Sequence, residues 1–306
     1  MRGRKVLVTG GAGFIGAPLV KALAEAGAIV TATLYRKDPE HVPGVKYLEA
    51  DLCTREDWTL ALTAAMPEIV FNCAGVTAGS GGDPLNLVTD NALIHLHMYR
   101  AMKEFGVRRV VGLSSTTGYP NSPKQMREDE YFDGDVHPAY FHPGHTRRFL
   151  ERLSAMYSIE TVWARVGGVY GPGDDYDPVT SHVIPALIRK VAERQDPIVL
   201  WGDGHEYRDA IHIDDMVRAL MLMGTTEKVT AFNLGTEAGM TVNEILHTLL
   251  AHTGHQPRIE RDMSTLQMIE RRALNCAMAN VYLGWNYSIP MREGLRKTLD
   301  WYEARK

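Results

Sequence analysis

The stretch TGGAGFIG, Thr9–Gly16, decides the fold of this chain. It follows an apolar run directly, and its glycines have the spacing GxxGxxG at the start of a helical pattern. Gly10 permits a tight turn, Gly13 lets a pyrophosphate approach free amides at a helix N-terminus, and Gly16 allows close helix–strand packing. An ordinary strand-to-helix turn is the alternative. The position after the first strand favours a dinucleotide site that includes Gly10, Gly13, Phe14, Ile15 and Gly16.

Outward from this turn, β-branched runs alternate with helical patterns as far as Arg165. Such alternation predicts an α/β fold, a Rossmann-type doubly wound parallel sheet with helices on both faces. After Tyr170 the segment GPGDDYDP is rich in turn residues, and mixed short elements follow. We therefore expect a dinucleotide-binding domain at 1–170 and a smaller C-terminal α/β substrate-binding lobe at 171–306. Residues 230–235 should return to the sheet.

The expected strands are Lys5–Val8, Ile29–Tyr35, Val45–Leu48, Glu68–Asn72, Arg109–Leu113, Thr161–Arg165, Ile198–Trp201 and Ala231–Leu234. The expected helices are Pro18–Ala26, Arg55–Ala65, Pro84–Phe105, Thr146–Tyr157, Val183–Ala192, Asp214–Met223, Val242–His252 and Met291–Ala304.

Composition excludes several classes of protein. Apolar residues make up 45% of the 306 residues, and 33 basic against 37 acidic residues give a net charge of −4. No basic field exists to hold nucleic acid or an anionic membrane, and no apolar run approaches the ~18 residues that span a bilayer. The three widely spaced cysteines predict neither disulfides nor a zinc site, and no metal is expected. A cytoplasmic protein is the resulting expectation.

The end of the second strand bears on the choice of cofactor. Many NAD enzymes place an acidic residue there for the ribose hydroxyls, whereas this chain has Arg36 and Lys37. Both side chains could neutralise a 2′-phosphate, which favours NADP over NAD. The alternative is that they are solvated surface charges.

Further segments are similar to one known family. These are Asp51-Leu52, the run NCAGV at 72–76, Asn91, RVGGVYGPGDDYDP at 165–178, WGDGHEYRDAIHIDD at 201–215 and a closing helix around LRKTLDWY. With TGGAGFIG they resemble the extended short-chain dehydrogenase/reductase family, also called NAD-dependent epimerases/dehydratases. The run SHVIPALIRK at 181–190 most resembles the GDP-L-fucose synthase-like branch, which acts on nucleotide-linked sugars.

The resemblance implies roles for particular residues. Cofactor contacts fall on Asp51, Leu52, Cys73, Ala74, Gly75, Asn91, Tyr140 and Val169, with Asn91 steadying the active-site backbone. Contacts to a nucleotide sugar fall on Val76, Ser115, Thr116, His182, Val183, Trp201 and Arg208. Arg208 would bind the phosphates, for which a planar guanidinium is suited, although a salt bridge to Asp209 or Asp214 is an alternative.

Catalytic groups follow from the same resemblance. Ser115, four residues before Tyr119, would bond the substrate oxygen, and Thr117 stands where the fucose synthase branch has a catalytic cysteine. His182 is a further candidate acid or base, because imidazole transfers protons near neutral pH. A histidine that simply starts a helix is the alternative for His182.

The family's YxxxK motif is degenerate here. Tyr140 is the best match for the tyrosine, and Gly144 occupies the lysine position. A phenol with a pKa near ~10 needs a neighbouring cation to work near neutrality. Pro143 predicts a helix start at that residue. His142, His145, Arg147 and Arg148 are local substitutes for the lysine, of which we favour His145.

The resemblance implies an NAD(P)-dependent epimerase or reductase acting at or next to C4 of a nucleotide-linked hexose, possibly GDP-linked. A dehydratase, or a dinucleotide-binding sensor or scaffold without turnover, are the alternatives. We also expect a homodimer formed by the helices near Asn91–Phe105 and Arg147–Tyr157. The second helix carries Phe149, Leu150, Leu153 and Met156, spaced as one apolar face.

Overall fold

The structure is a computed structural model that describes residues 1–77, 83–122, 124–228, 230–264 and 269–306. The strands in these ranges are β1 (Lys5–Thr9), β2 (Ile29–Leu34), β3 (Lys46–Glu49), β4 (Ile69–Asn72), β5 (Arg109–Ser115), β6 (Glu160–Val166), β7 (Val169–Tyr170), β8 (Ile198–Trp201), β9 (Tyr207–Arg208), β10 (Ile211–His212), β11 (Ala231–Leu234), β12 (Met240–Thr241), β13 (Ile259–Asp262) and β14 (Arg271–Arg272). The helices are α1 (Gly16–Glu25), α2 (Arg55–Ala65), α3 (Pro84–Phe105), α4 (Phe141–Ser154), α5 (Val183–Ala192), α6 (Ile213–Met223), α7 (Val242–Thr253), α8 (Ala277–Leu283) and α9 (Met291–Glu303).

The central sheet has seven strands in the order β11-β6-β5-β4-β1-β2-β3, and every pairing is parallel. The chain moves outward from β1 through β2 and β3, then crosses back to place β4 on the other side of β1. Ligands of open parallel sheets bind outside the carboxyl ends of the strands at such a reversal. The predicted Rossmann-type doubly wound sheet is confirmed, and the reversal lies at the glycine turn.

Local sequence explains several helix boundaries. Thr54 caps α2 by accepting a hydrogen bond from the backbone N–H of Asp57, and α7 begins with a capping box between Thr241 and Glu244. The left-handed Gly106, with φ of 70°, ends α3. The predicted bounds of α2, α3, α5, β8 and β11 agree with the structure.

The start of α4 was predicted wrongly, at Thr146 from the helical pattern and at Pro143 from the proline. Helix α4 begins at Phe141, two residues before Pro143, with Tyr140 at its N-cap. Proline is tolerated in the whole first turn, because the first four amides of a helix have no partner within it. Pro143 therefore marks the first turn of α4 without fixing its first residue. The structure also shows α8 and β13, which the periodicity did not predict.

Apolar side chains form separate cores on the two faces of the sheet and a third core in the C-terminal region. α1 and α6 cover one face, and α2, α3 and α4 cover the other. α5, α7 and α9 pack together with Tyr170 and β8 in the third core. β11 joins the central sheet beside β6, as expected for residues 230–235. Within the described ranges, no helix is long and apolar enough to cross a membrane.

Candidate active site

The turn after β1 packs closely against the residues that follow β4. Gly10 has φ of 66°, and a Cβ there would lie 3.1 Å from the backbone nitrogen of Ala74. A Cβ on Gly13 would meet a single neighbouring atom, the carbonyl oxygen of Gly10 at 3.1 Å. Helix α1 has no side-chain cap and no acidic residue in its first turn. The positive end of an uncapped helix without a competing carboxylate fits the pyrophosphate of a dinucleotide.

A chain of buried polar groups connects this turn to helix α3. The Thr9 hydroxyl donates to Asn72 Oδ1 at 2.7 Å and accepts from the backbone N–H of Ala74 at 3.0 Å. His95 donates from Nδ1 to the carbonyl of Asn91 at 2.9 Å, so its Nε2 accepts from the Asn72 amide at 3.1 Å. Burial lowers the pKa of His95 to about 4, which keeps the ring neutral.

Asn91 holds the segment that follows β4. Its side-chain oxygen accepts from the backbone N–H of Val76 at 3.2 Å, and its amide donates to the Val76 carbonyl at 2.9 Å. A Cβ on Gly75 would lie 2.9 Å from Asn91 Oδ1, which explains glycine there. Cys73, Ala74, Gly75 and Val76 are thus fixed at the carboxyl end of β4, next to the glycine turn.

The groups predicted to contact the adenosine part lie at the ends of β2 and β3. Arg36 has φ of 55° and is exposed, with its guanidinium 4.6 Å from the centre of the Tyr35 ring, and Lys37 is exposed beside it. Asp51 accepts from the backbone N–H of Cys53 at 3.0 Å, while Leu52 is buried. Both basic side chains are exposed, so a phosphate can reach them from solvent.

Ser115 ends β5 and begins a short 3-10 turn, Thr116–Gly118. Its hydroxyl oxygen accepts from the backbone N–H of Thr117 at 3.2 Å, and Tyr131 donates to its carbonyl at 3.1 Å. The Thr117 hydroxyl is buried and has no hydrogen-bond partner among the described residues. Ser115 and Thr117 therefore lie together at the carboxyl end of β5.

Tyr140 occupies the N-cap position of α4. No side chain fits at 144, the position at which the family has its lysine. A Cβ on Gly144 would lie 2.5 Å from the carbonyl oxygen of Thr117 and 3.0 Å from a methyl of Val136. Real Cβ atoms do not make contacts this short to backbone. The loss of the lysine is therefore accompanied by a backbone approach that leaves no room for any side chain at 144.

The local cations on α4 point in different directions. His145 is exposed, with its ring centre 4.7 Å from that of Phe141. Arg147 turns inward and donates to the carbonyl of Leu113 at 3.2 Å, whereas Arg148 donates to the carbonyls of Gly118, Gly134 and Asp133. The role of His145 stays a prediction, and its exposed position does not support it.

Arg208 has a neighbour that sequence reasoning missed. β9 pairs in parallel with β14, and this register sets Arg272 opposite Arg208. Arg208 donates to the carbonyls of Tyr207 and Ile269 and makes no salt bridge with Asp209 or Asp214 in the described chain. Asp209 instead accepts from the backbone and hydroxyl of Thr236. The alternative for Arg208, a structural salt bridge to one of these aspartates, is thus not seen in the described chain.

The remaining predicted contacts lie at the edges of the C-terminal lobe. His182 is exposed at the N-cap of α5, and Val183 follows it with 37% of its surface exposed. Val169 is half-buried on β7. Trp201 is 72% exposed at the end of β8. Their roles remain predictions.

Behind Ser115 lies a buried polar network that the motifs did not identify. Arg165 and Glu151 form a salt bridge at 2.7 Å in which both side chains are 5% exposed. Glu151 also accepts from the Ser114 hydroxyl at 2.5 Å, and Arg165 lies 3.6 Å from the centre of the Tyr131 ring. Arg165, the first residue of the motif at 165–178, was the available signal. The network fixes the end of β5 and hence the position of Ser115.

Comparisons with known proteins agree with this geometry. The sequence profile of the NAD-dependent epimerase/dehydratase family matches residues 6–235. The dTDP-4-dehydro-6-deoxy-D-allose reductase of a Streptomyces species is 28% identical, with 99% of this chain and 98% of that protein covered. GDP-L-fucose synthase of Escherichia coli strain K12 is 24% identical, with coverages of 99% and 97%. Thermus thermophilus UDP-glucose 4-epimerase, solved with NAD, is 26% identical, with a TM-score of 0.84 and full coverage (100%) of both chains.

The glycine turn, the sheet reversal beside it and the match over most of the chain lead to one conclusion. As its motifs predict, the chain belongs to the NAD-dependent epimerase/dehydratase family.

Proposed function

We propose that this protein is an NAD(P)-dependent epimerase or reductase that acts at or next to C4 of a nucleotide-linked hexose, possibly a GDP-linked one. The observation that carries the proposal is the pair of arginines at paired positions of β9 and β14. Arg208 and Arg272 face each other across β9 and β14, and Arg272 donates to the carbonyl of Thr116. Arginine guanidinium groups suit the phosphates of such a substrate.

A bound nicotinamide would supply the hydride acceptor or donor at the sugar carbon. Ser115 would donate a hydrogen bond to the sugar oxygen, and Tyr140 would take or return its proton. Arg208 would bind the substrate phosphates and so fix the position of the sugar. His182 at the start of α5 is the second candidate for proton transfer.

The preference for NADP also belongs to the proposal. Arg36 and Lys37 are exposed at the end of β2, where a 2′-phosphate would approach them. A cytoplasmic location is proposed with it, since a nicotinamide-dependent sugar enzyme draws on the cytoplasmic cofactor pool.

We also propose a homodimer through α3 and α4, but with fewer of the predicted residues in its interface. Leu150 and Leu153 were expected on the outer apolar face, but both are buried against the sheet. Phe149 and Met156 are 48% and 81% exposed on the outer side. The spacing predicted a single apolar face for these four residues. In the structure two of them lie in the core and two lie at the surface. A monomer mass in sedimentation at micromolar concentration would contradict the dimer.

One observation favours a second function, a dinucleotide-binding protein without turnover. The family lysine is absent and position 144 cannot hold it. The arginine pair on β9 and β14 argues for turnover, because a dinucleotide sensor needs no site for sugar phosphates. A dehydratase is the remaining alternative within the family.

The test is to incubate the protein with NADPH or NADP⁺ and a panel of UDP-, GDP- and dTDP-linked sugars, including 4-keto sugars. Nicotinamide absorbance reports reduction or oxidation, and chromatography of the sugars reports epimerisation, which leaves no net change in the cofactor. Arg208→Met should weaken binding of the cognate sugar nucleotide, while Arg271→Met, on the exposed neighbouring position, should not. Cofactor binding without conversion of any sugar would support the sensor instead.

A further inference from the structure

The buried polar groups around the end of β4 form a hydrogen-bond chain with a single direction. Its members are at most 2% exposed: Thr9, Asn72, Asn91 and His95. The backbone N–H of Ala74 donates to the Thr9 hydroxyl, which in turn donates to Asn72 Oδ1. The Asn72 amide donates to His95 Nε2, and His95 Nδ1 donates to the carbonyl of Asn91. Each donor in the chain therefore meets an acceptor.

The chain begins and ends on the backbone that follows β4. Its first donor is the amide of Ala74, and its last member, Asn91, accepts from the N–H of Val76 and donates to the Val76 carbonyl through its side chain. A Cβ on Gly10 would lie 3.1 Å from the Ala74 nitrogen, so residues 74–76 also lie against the glycine turn. One set of buried side chains thus holds both ends of this short segment.

His95 fixes the direction of the chain. Its bond to the Asn91 carbonyl requires a proton on Nδ1, which leaves Nε2 as the acceptor for the Asn72 amide. Burial lowers the pKa of His95 to about 4, so the ring is neutral and Nε2 keeps its lone pair at neutral pH. A flipped Asn72 amide would set its oxygen against that lone pair. Asn72 therefore presents its oxygen to Thr9.

Loss of the His95 acceptor would reach the segment without direct contact between them. A buried polar group without a partner is unfavourable, and hydrogen bonds in one directional chain strengthen each other. Asn72 without its partner at His95 would no longer be held in one orientation, and the Thr9 hydroxyl would lose its fixed acceptor. The bond from Thr9 to the Ala74 amide would then weaken.

We propose that His95 is a positioning residue for the dinucleotide site, acting through Asn72 and Thr9 on the backbone of residues 74–76. The inference rests on the proposed function for the identity of the ligand. The neutral ring holds the segment in its binding arrangement before the cofactor arrives, so that binding does not have to order it.

Two substitutions separate the roles of the two ring nitrogens. In His95→Gln the side-chain oxygen can take the place of Nε2 and accept from Asn72. In His95→Asn the side-chain amide can take the place of Nδ1 and donate to Asn91. Both remove the ring that stacks on Trp163, with ring centres 5.9 Å apart. His95→Gln should therefore keep the connection to Thr9, and His95→Asn should lose it.

The first measurement needs no ligand. Nuclear magnetic resonance follows hydrogen exchange of the Ala74 amide, which should be up to about tenfold faster in His95→Asn, the scale of one buried hydrogen bond. Exchange in His95→Gln should stay close to that of the wild type. Nitrogen chemical shifts of the wild-type ring should show the proton on Nδ1. A proton on Nε2 would overturn the inference, because Asn72 would then face a donor.

The second measurement is calorimetric titration with NADP and NAD. His95→Asn should weaken both by roughly two- to tenfold, as expected if the binding arrangement falls to between about a half and a tenth of the free population. In a Thr9→Val background the chain is already cut, so His95→Asn should weaken binding no further. Additive losses in the double variant would contradict a connection through Thr9.

The same helix offers two controls. His97→Asn makes the identical exchange two positions along α3, at a ring whose Nδ1 has no hydrogen-bond partner within the described ranges. Ile94→Ala removes buried apolar volume next to His95 without breaking the chain. Both variants should bind the cofactors as the wild type does. An equal loss of affinity in Ile94→Ala would show that packing alone explains the effect.

The remaining outcomes also decide the matter. Equal losses in His95→Gln and His95→Asn, or an Ala74 amide that His95→Asn leaves unchanged, would overturn the inference. A wild type that binds neither dinucleotide would defeat the proposed function, while exchange of the Ala74 amide would still show whether His95 fixes the segment. Thermal melting verifies folding, and Asn72→Leu, which removes the donor to Nε2, replaces His95→Asn if that variant does not fold.

Discussion

The glycine turn at Thr9–Gly16 keeps the family's motif, whereas the start of α4 departs from it. In the turn, Gly10 has φ of 66°, and a Cβ on Gly16 would collide with the Gly10 carbonyl, so glycine is required at both positions. At the start of α4 the family uses side chains, and here the lysine position has become Gly144, packed against Thr117. Close backbone packing therefore excludes a side chain at Gly16, where the family motif has none, and also at Gly144, where the family has a lysine.

Replacing Tyr140 by phenylalanine tests the start of α4 and should have the largest effect on activity. Removal of one proton-transfer group costs roughly two to four orders of magnitude in kcat. Tyr282→Phe is the control, because that tyrosine is exposed and lies beside Lys228, away from the site. Steady-state kinetics with the cognate sugar nucleotide measures both. Full activity in Tyr140→Phe would make the tyrosine structural and His182 the better acid–base candidate.

The glycine turn is tested by Gly13→Asp. A carboxylate about 4 Å from the pyrophosphate costs about 4 kcal/mol at an effective dielectric constant near 20, or roughly a thousandfold in affinity. Gly13→Ala, whose Cβ would meet the Gly10 carbonyl at 3.1 Å, adds bulk without charge and should lose much less. Calorimetric titration with NADP and NAD gives the affinities. Unchanged affinity in the aspartate variant would remove the turn from the cofactor site.

Reintroducing the family lysine with Gly144→Lys sharpens the comparison. Because the new Cβ would lie 2.5 Å from the Thr117 carbonyl, we expect a loss of about 1–3 kcal/mol in the free energy of unfolding and no gain in activity. His145→Lys places the same side chain on the exposed neighbouring position and should stay within about 0.5 kcal/mol of wild type. Chemical denaturation measures both. Increased activity in Gly144→Lys would show that the site can still accept the lysine.

The smallest expected effect is on cofactor preference. Arg36→Glu should weaken NADP by about 1.5 kcal/mol more than NAD, or roughly tenfold, since an exposed charged hydrogen bond to the 2′-phosphate is lost. Lys46→Glu, which reverses a charge at the start of β3, is the control. Both affinities come from the same titrations. Equal losses for the two cofactors would mean that Arg36 does not contact the phosphate.

Much of the fold could be predicted because its determinants are local. Apolar periodicity placed α2, α3, α5, β8 and β11 at their observed bounds. The family and its enzyme class followed from motifs along nearly the whole chain, and the comparisons confirm both. The start of α4 was misplaced, since a proline suits any position of a first turn.

The sequence by itself determined the glycine turn after β1, the parallel sheet and the family, because each rests on contiguous residues with a fixed spacing. Only the tertiary structure showed that Arg272 lies beside Tyr140, because the β9–β14 pairing joins segments that are distant along the chain. It also showed why no lysine can stand at 144, since that depends on the approach of the backbone at Thr117. Distances between remote segments are set by packing of the whole core, and no local pattern encodes them.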